Sequence, residues 1–263
     1  MEYRFPKSIS YSARNDLVKV LPVIHSIIDG DLIGVYLCGS LAMGCYNPRS
    51  SDIDIIVVAR QELTEQLGKR VLECLKEVCS KGARVELSVV SEDVVRNPQY
   101  PMKVDLHFEY WGNNFVKRLD KEILSNLYTT KERGFCVWGA PIDDMFSEIS
   151  AEHHLKSVIE DILHTRKYLH EGPGLKGYDV TVYWILGSCR ILGFARERKV
   201  FSKLEGGYWG IANLPRRYHR LIRQALSSYN GKQKIKGEWN YEELESFVDY
   251  MSRTILKVSK RTS

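Results

Sequence analysis

The chain has 263 residues, 44% of them hydrophobic and 27% charged, with a formal net charge of +5. That length and balance suit one large or two modest folded domains and exclude a disordered chain, and no apolar stretch approaches the ~20 residues that a membrane-spanning helix needs. The positive excess is mild and spread along the chain, with only the tail Lys257 to Arg261 clustered, so it suits an anionic small molecule better than nucleic acid.

Leu17, Val20, Leu21, Ile24, Ile27 and Ile28 recur at helical spacing and predict a helix over residues 9 to 28, which Pro22 is expected to kink or shorten. The β-branched segment Leu32 to Cys38 reads as a buried strand that meets a tight turn at Gly39-Ser40. A helix beginning at Leu41 would leave Gly39 and Ser40 at its N-terminus, where free N–H groups and the helix dipole favour a phosphate. Asp52-Ile53-Asp54 then opens a second apolar run, and strand alternation sets the two carboxylates on one face with Ile53 and Ile55 on the other. Like charges at that separation repel, and a hard divalent ion such as Mg²⁺ is the simplest compensation.

Leu63, Leu67, Val71, Leu75 and Val78 mark an amphipathic helix ending near Gly82. The β-rich run Arg84 to Val90 follows and brings Glu86 as a third carboxylate. Beyond the loop Asn97 to Pro101, Leu106, Phe108 and Tyr110 alternate with Asp105, His107 and Glu109, so the strand ending at Trp111 has one apolar face and one polar face. His107 reads foremost as a strand residue with a hydrogen-bond partner; a metal or acid–base site is the alternative. Near residue 150 the pattern turns helical. Four helices are predicted, around Leu155 to Leu163, Val180 to Phe194, Tyr218 to Tyr229 and Tyr241 to Met251, with His170 to Gly177 and Lys203 to Gly207 as loops. The six cysteines show no metal-binding spacing and read as buried thiols, and the N-terminus lacks signal-peptide character, which together predict a cytosolic protein.

A strand, a Gly-Ser turn, a spacer of about a dozen residues and an Asp-x-Asp strand set an anion site beside a cation site, as a metal-nucleotide requires. Gly39-Ser40, Gly44 and Ser51 to Asp54 resemble the signature of the DNA polymerase β-like nucleotidyltransferase superfamily. Val85 to Leu87, Tyr100-Pro101, Leu106 to Trp111, Thr130-Lys131, Trp138-Gly139, Arg190-Ile191, Ser202-Lys203 and Tyr229 to Gly231 extend the resemblance, nearly end to end, to the streptomycin/spectinomycin adenylyltransferase group.

The resemblance implies an α+β fold: an N-terminal nucleotidyltransferase domain over 1–150 with a mixed sheet and flanking helices, and a C-terminal helical-bundle domain over 151–263, the two completing a cleft for nucleotide and acceptor. It implies ATP as co-substrate, Mg²⁺ held by Asp52, Asp54 and Glu86, and Glu86 as general base. Gly39, Ser40, Arg190, Lys203 and Tyr229 are the implied nucleotide contacts, and Lys203, flanked by Gly206-Gly207, is expected on a loop able to close over the nucleotide. Trp111 matches a drug-contacting tryptophan, with Glu86, Glu109, Glu171 and Asp179 as candidate acidic walls for a cationic acceptor. The stretch Glu171 to Asp179 departs from the group, without the acidic cluster and additional tryptophan associated with streptomycin, and the segment from Ser40 to Asp52 is one residue longer than in typical resistance enzymes. The expected reaction is transfer of AMP to a hydroxyl of an aminoglycoside or aminocyclitol, with spectinomycin favoured over streptomycin. The enzyme is expected to act as a monomer, with no role for membrane or nucleic acid. The alternatives are a nucleotidyltransferase acting on a protein or RNA hydroxyl, and a catalytically silent nucleotide-binding regulator.

Overall fold

The computed structural model describes residues 2–49, 51–110, 112, 114–120, 123–170, 178–231 and 239–262. It divides into two compact units, Met1–Ile149 and Ser150–Ser263. The first runs α1 (Tyr11–Ile28), β1 (Leu32–Leu37), α2 (Gly39–Ala42), β2 (Ile53–Ala59), α3 (Glu65–Cys79), β3 (Val85–Ser91), α4 (Glu92–Arg96), β4 (Met102–Glu109), β5 (Phe115–Asp120), α5 (Ile123–Arg133), β6 (Phe135–Gly139) and α6 (Ile142–Met145). Side-chain caps start the long helices: Ser10 accepts from the Ala13 N–H and Thr64 from the Leu67 N–H, both at 3.2 Å. Pro22 lies inside α1 and does not end it. Leu17, Leu21 and Ile24 are each at most 1% exposed, and at roughly 1.5–3 kcal/mol per buried side chain their packing outweighs the ~3 kcal/mol cost of an internal proline.

Among the described residues the strands form one mixed sheet in the order β5-β4-β3-β2-β1-β6. Only β2 and β3 run parallel, with α3 as their crossover; the other neighbours are antiparallel. One sheet face packs Ile53, Ile55, Val85, Leu87 and Val89 against α1 and α3. The other packs Ile56, Val58 and Val90 with Ile123, Leu124 and Leu127 of α5.

The second unit holds α7 (Ala151–His170), α8 (Tyr178–Glu197), α9 (Lys203–Asn213), α10 (His219–Tyr229) and α11 (Tyr241–Thr262). Trp184 of α8 is fully buried and its indole N–H donates to the Ile162 carbonyl at 3.2 Å, tying α8 to α7. Among the described residues the expected four helices are thus five, and the expected loop Lys203 to Gly207 is the start of α9. Ser202 and Glu205 close a reciprocal capping box there. The paired glycines answer to packing and not to flexibility. A Cβ at Gly206 would lie 2.6 Å from Arg190 Cβ, and one at Gly207 2.5 Å from Leu226 Cδ2.

His154 of α7 is 5% exposed and sits edge-on to Phe194 at 4.6 Å. Burial, and then the charge of Arg190, push its pKa down to about 3. Below about pH 6.5 the unfolded chain takes up a proton that the folded one refuses until the pH nears 3. Stability present above pH 6.5 is therefore lost as the pH falls, by about 2 kcal/mol at pH 5 relative to pH 8. Urea unfolding of wild type and His154→Asn at both pH values measures this; equal pH dependence in the two proteins would rule His154 out as the source.

Candidate active site

The strand ladders bring acids from three strands side by side. Parallel pairing sets Asp54 beside Glu86, and antiparallel pairing sets Glu109 opposite Glu86. By strand alternation Asp54 shares a face with Ile56 and Val58, and Glu86 with Val90. Along that face the apolar residues met by α5 give way to carboxylates at one end of the sheet.

The turn after β1 is drawn against β2 by the Cys38 N–H, which donates to the Asp54 carbonyl at 3.1 Å. Gly39 has φ +59°, and a Cβ there would lie 1.9 Å from Asp54 Oδ2, so both the conformation and the close approach demand glycine. Ser40 follows in α2, which starts at Gly39 and makes a single turn. Leu41 is thus helical, in a helix that begins two residues earlier and ends at Ala42. One turn sums little dipole, so any phosphate affinity at this place rests on individual N–H groups and the Ser40 hydroxyl.

Asp52 lies just ahead of β2, and its Oδ1 accepts from Nε and Nη2 of Arg84, each at 3.1 Å. The guanidinium also donates from Nη1 to the Arg49 carbonyl at 3.0 Å and lies 5.4 Å from the Tyr110 ring centroid. Part of the positive charge expected beside the two aspartates thus comes from Arg84, at Asp52. Burial, and then the charge of Asp52, raise the Tyr110 phenol above its ordinary range and keep it protonated.

His107 has Nδ1 2.9 Å from Ser88 Oγ and Nε2 3.2 Å from Glu109 Oε1, and its ring stacks on Phe115 at 5.1 Å. Among the described residues, Glu86, His107 and Glu109 are the group whose ligand-capable atoms all lie within 4.8 Å of one another. Asp105 does not share their surroundings, contrary to the alternation read from the sequence. It is 4% exposed and its Oδ2 accepts from the Leu63 N–H at 3.2 Å. The reason is local: the β4–β5 ladder skips the Asp105 position, and Lys117 beside that gap has φ 51°. Behind the acids lies Cys38, 3% exposed. Burial, reinforced by the charges of Asp54 and Glu86, pushes its thiol far above the ordinary range, which removes it as a nucleophile at neutral pH.

In the helical unit Arg190 lies on α8, Lys203 begins α9 and Tyr229 ends α10. Lys203 is not a loop residue. Its ammonium sits 4.3 Å from the Tyr183 ring centroid, and the Tyr183 hydroxyl donates to Asp161 Oδ2 at 2.7 Å. Trp111, Glu171 and the side chain of Asp179 lie outside the described residues.

Residues 26–123 match the nucleotidyltransferase domain family, and residues 144–254 match the C-terminal domain of aminoglycoside adenylyltransferases. The two matches follow one another along the chain, a nucleotidyltransferase domain and then the C-terminal domain of aminoglycoside adenylyltransferases. An aminoglycoside (3'') (9) adenylyltransferase of Escherichia coli is 25% identical to this chain over 255 residues, covering 92% of this chain and 94% of the relative. A spectinomycin 9-adenylyltransferase of Campylobacter jejuni is also 25% identical, covering 90% and 93%. A spectinomycin adenyltransferase from Enterococcus faecialis, solved with ATP and spectinomycin, superposes with a TM-score of 0.77 over 92% of this chain and 99% of that one; at 19% identity the likeness is one of fold.

Residue spacing alone does not reveal Arg84 as the partner of Asp52 or Glu109 as the neighbour of Glu86. Both follow from register: once Asp54 pairs with Glu86 in parallel strands, residue 84 stands to 52 as 86 stands to 54. The family implies a divalent metal, and the residues present fit one. Asp54 and Glu86 are register partners offering hard carboxylate oxygens, and Gly39 leaves Asp54 Oδ2 the space it needs. No helix among the described residues is long and apolar enough to cross a membrane.

Proposed function

We propose that this chain transfers AMP from ATP to a hydroxyl of an aminocyclitol or aminoglycoside, with a spectinomycin-like acceptor preferred, and releases pyrophosphate. The observation that carries the reading is the register pairing of Asp54 with Glu86 beside the Gly39 turn, in a chain whose relatives are named aminoglycoside and spectinomycin adenylyltransferases.

In this mechanism Glu86 accepts the acceptor's hydroxyl proton as its oxygen attacks the α-phosphorus; an O–P bond forms, and the bond to the pyrophosphate oxygen breaks. Asp54 and Glu86, with Asp52, would hold Mg²⁺, which when bound offsets triphosphate charge and steadies the transition state. Ser40 hydrogen-bonds the terminal phosphates, and Arg190, Lys203 and Tyr229 are nucleotide contacts. Lys203 suits that role as a cation on a capped helix start, its ammonium held over the Tyr183 ring. Arg84 restrains Asp52 through the hydrogen bonds of its Nε and Nη2 to Oδ1.

Incubation with radiolabelled ATP, Mg²⁺ and a panel of aminocyclitols and aminoglycosides is expected to yield an AMP–spectinomycin adduct and pyrophosphate. A panel left wholly unmodified while ATP binding is demonstrated by calorimetry would reject the acceptor class.

A further inference from the structure

Arg84 precedes β3, and its carbonyl accepts from the Ile53 N–H at 2.9 Å, which brings it level with the start of β2 and with Asp52. All three guanidinium nitrogens are engaged: Nε and Nη2 on Asp52 Oδ1, each at 3.1 Å, and Nη1 on the Arg49 carbonyl at 3.0 Å. That carbonyl belongs to a turn which is itself closed. The Ser51 N–H donates to the Asn47 carbonyl at 2.8 Å, the Asn47 N–H to Ser51 Oγ at 3.1 Å, and the Arg49 N–H to Asn47 Oδ1 at 3.0 Å. The Tyr110 ring centroid lies 5.4 Å from the guanidinium carbon. A planar fork set on two fixed acceptors cannot swing aside without breaking its bonds together. The positive charge therefore stays beside Asp52 whatever else binds there.

For a divalent ion on Asp52 this has two effects of opposite sign. The fork holds the carboxylate in one orientation, which spares the ion an ordering cost worth a few-fold in affinity. The fixed charge also repels the ion. At ~6 Å, roughly a metal–oxygen bond and an ion pair end to end, a unit and a double charge repel by about a factor of ten in affinity even at the dielectric constant of water. The side chains of Arg84 and Asp52 are only 32% and 24% exposed, so solvent screens the pair incompletely and repulsion is the larger effect. For a metal–triphosphate the sign reverses, because that complex is a net anion and meets Arg84 as its counter-charge. We propose that Arg84 is a positioning residue that makes metal binding conditional on the nucleotide: it orients Asp52 but disfavours a bare ion, so that ion and triphosphate enter together. The proposal rests on the reading of Asp52, Asp54 and Glu86 as metal ligands given above.

The test titrates Mn²⁺ into wild type, Arg84→Gln and Arg84→Lys without nucleotide, reading free Mn²⁺ by electron paramagnetic resonance. Calorimetry then measures binding of the Mn²⁺ complex of a non-hydrolysable ATP analogue to the same proteins. Arg84→Gln is expected to bind bare Mn²⁺ about tenfold more tightly than wild type and the Mn²⁺–analogue complex about threefold or more weakly. Arg84→Lys, which keeps the charge, is expected to stay within about threefold of wild type for both. A merely structural role for Arg84 would weaken both affinities alike. Two affinities that move in the same direction, an unmoved bare-ion affinity in a folded Arg84→Gln protein, or an Arg84→Lys protein that behaves as Arg84→Gln does would each overturn the proposal. If Arg84→Gln loses its native circular dichroism, Arg84→Met is measured under the same expectations. Adding Asp54→Asn to Arg84→Gln separates the two readings: bare Mn²⁺ bound as tightly as without the second substitution would place the ion elsewhere and defeat the metal-ligand reading, and this proposal with it.

Discussion

Replacing Glu86 by glutamine is expected to lower kcat by ~10²- to 10⁴-fold, the range usually supplied by a positioned general base. Glutamine keeps the length and shape of the side chain, so the change isolates the charge and the ability to take a proton. The fold is expected to tolerate it. Glu86 lies in register between Asp54 and Glu109, and removing the middle of three like charges relieves repulsion. The melting temperature should therefore hold or rise while turnover collapses. Initial rates of labelled AMP transfer, measured beside thermal melts of the same preparations, read the two effects separately. A variant that retains turnover within threefold of wild type would remove Glu86 from the chemistry and leave the carboxylate row without a base.

Gly39→Ala is expected to separate stability from activity in another way. An alanine at φ +59° costs about 1–2 kcal/mol relative to glycine, which a domain of this size survives. The activity cost is larger, because the new Cβ would lie 1.9 Å from Asp54 Oδ2 and the carboxylate must swing away. Misplacing a catalytic group by about 1 Å can cost ~10²-fold, so kcat/KM for MgATP is expected to fall by at least that factor while the circular dichroism spectrum stays native. Near-native kcat/KM in the alanine variant would show that the position of Asp54 against this turn is unimportant to the reaction.

Much of the first unit was legible because its strands alternate cleanly. Ile53 and Ile55 against Asp54, and Val85, Leu87 and Val89 against Glu86, announce which face is core and which is polar. The long helices were legible from periodicity, and the Ser202 to Glu205 cap was present to be read. The Gly206-Gly207 pair concealed α9 because its justification is tertiary. The helix comes so close to Arg190 and Leu226 that no side chain fits, a fact that lowers local propensity and is invisible without the neighbour. Pro22 does not shorten α1 for the same kind of reason, since buried neighbours hold the helix together across it. Asp105 escaped because the strand changes its exposure at one irregular position, and alternation counted from Leu106 carries no warning of it. The Arg84–Asp52 ion pair and the Glu86–Glu109 opposition depend on which strands become neighbours. Residue spacing along a single chain does not state that order.

The alternation in β3 has a consequence for how this protein can change over evolutionary time. Leu87 and Val89 anchor the strand in one phase, and a slip of a single residue would carry Glu86 into the hydrocarbon layer and turn its leucine neighbour toward the reactants. Substitutions that loosen those two greasy positions should thus erode turnover before they melt the protein, so selection for catalysis and selection for folding act on the same few interior side chains.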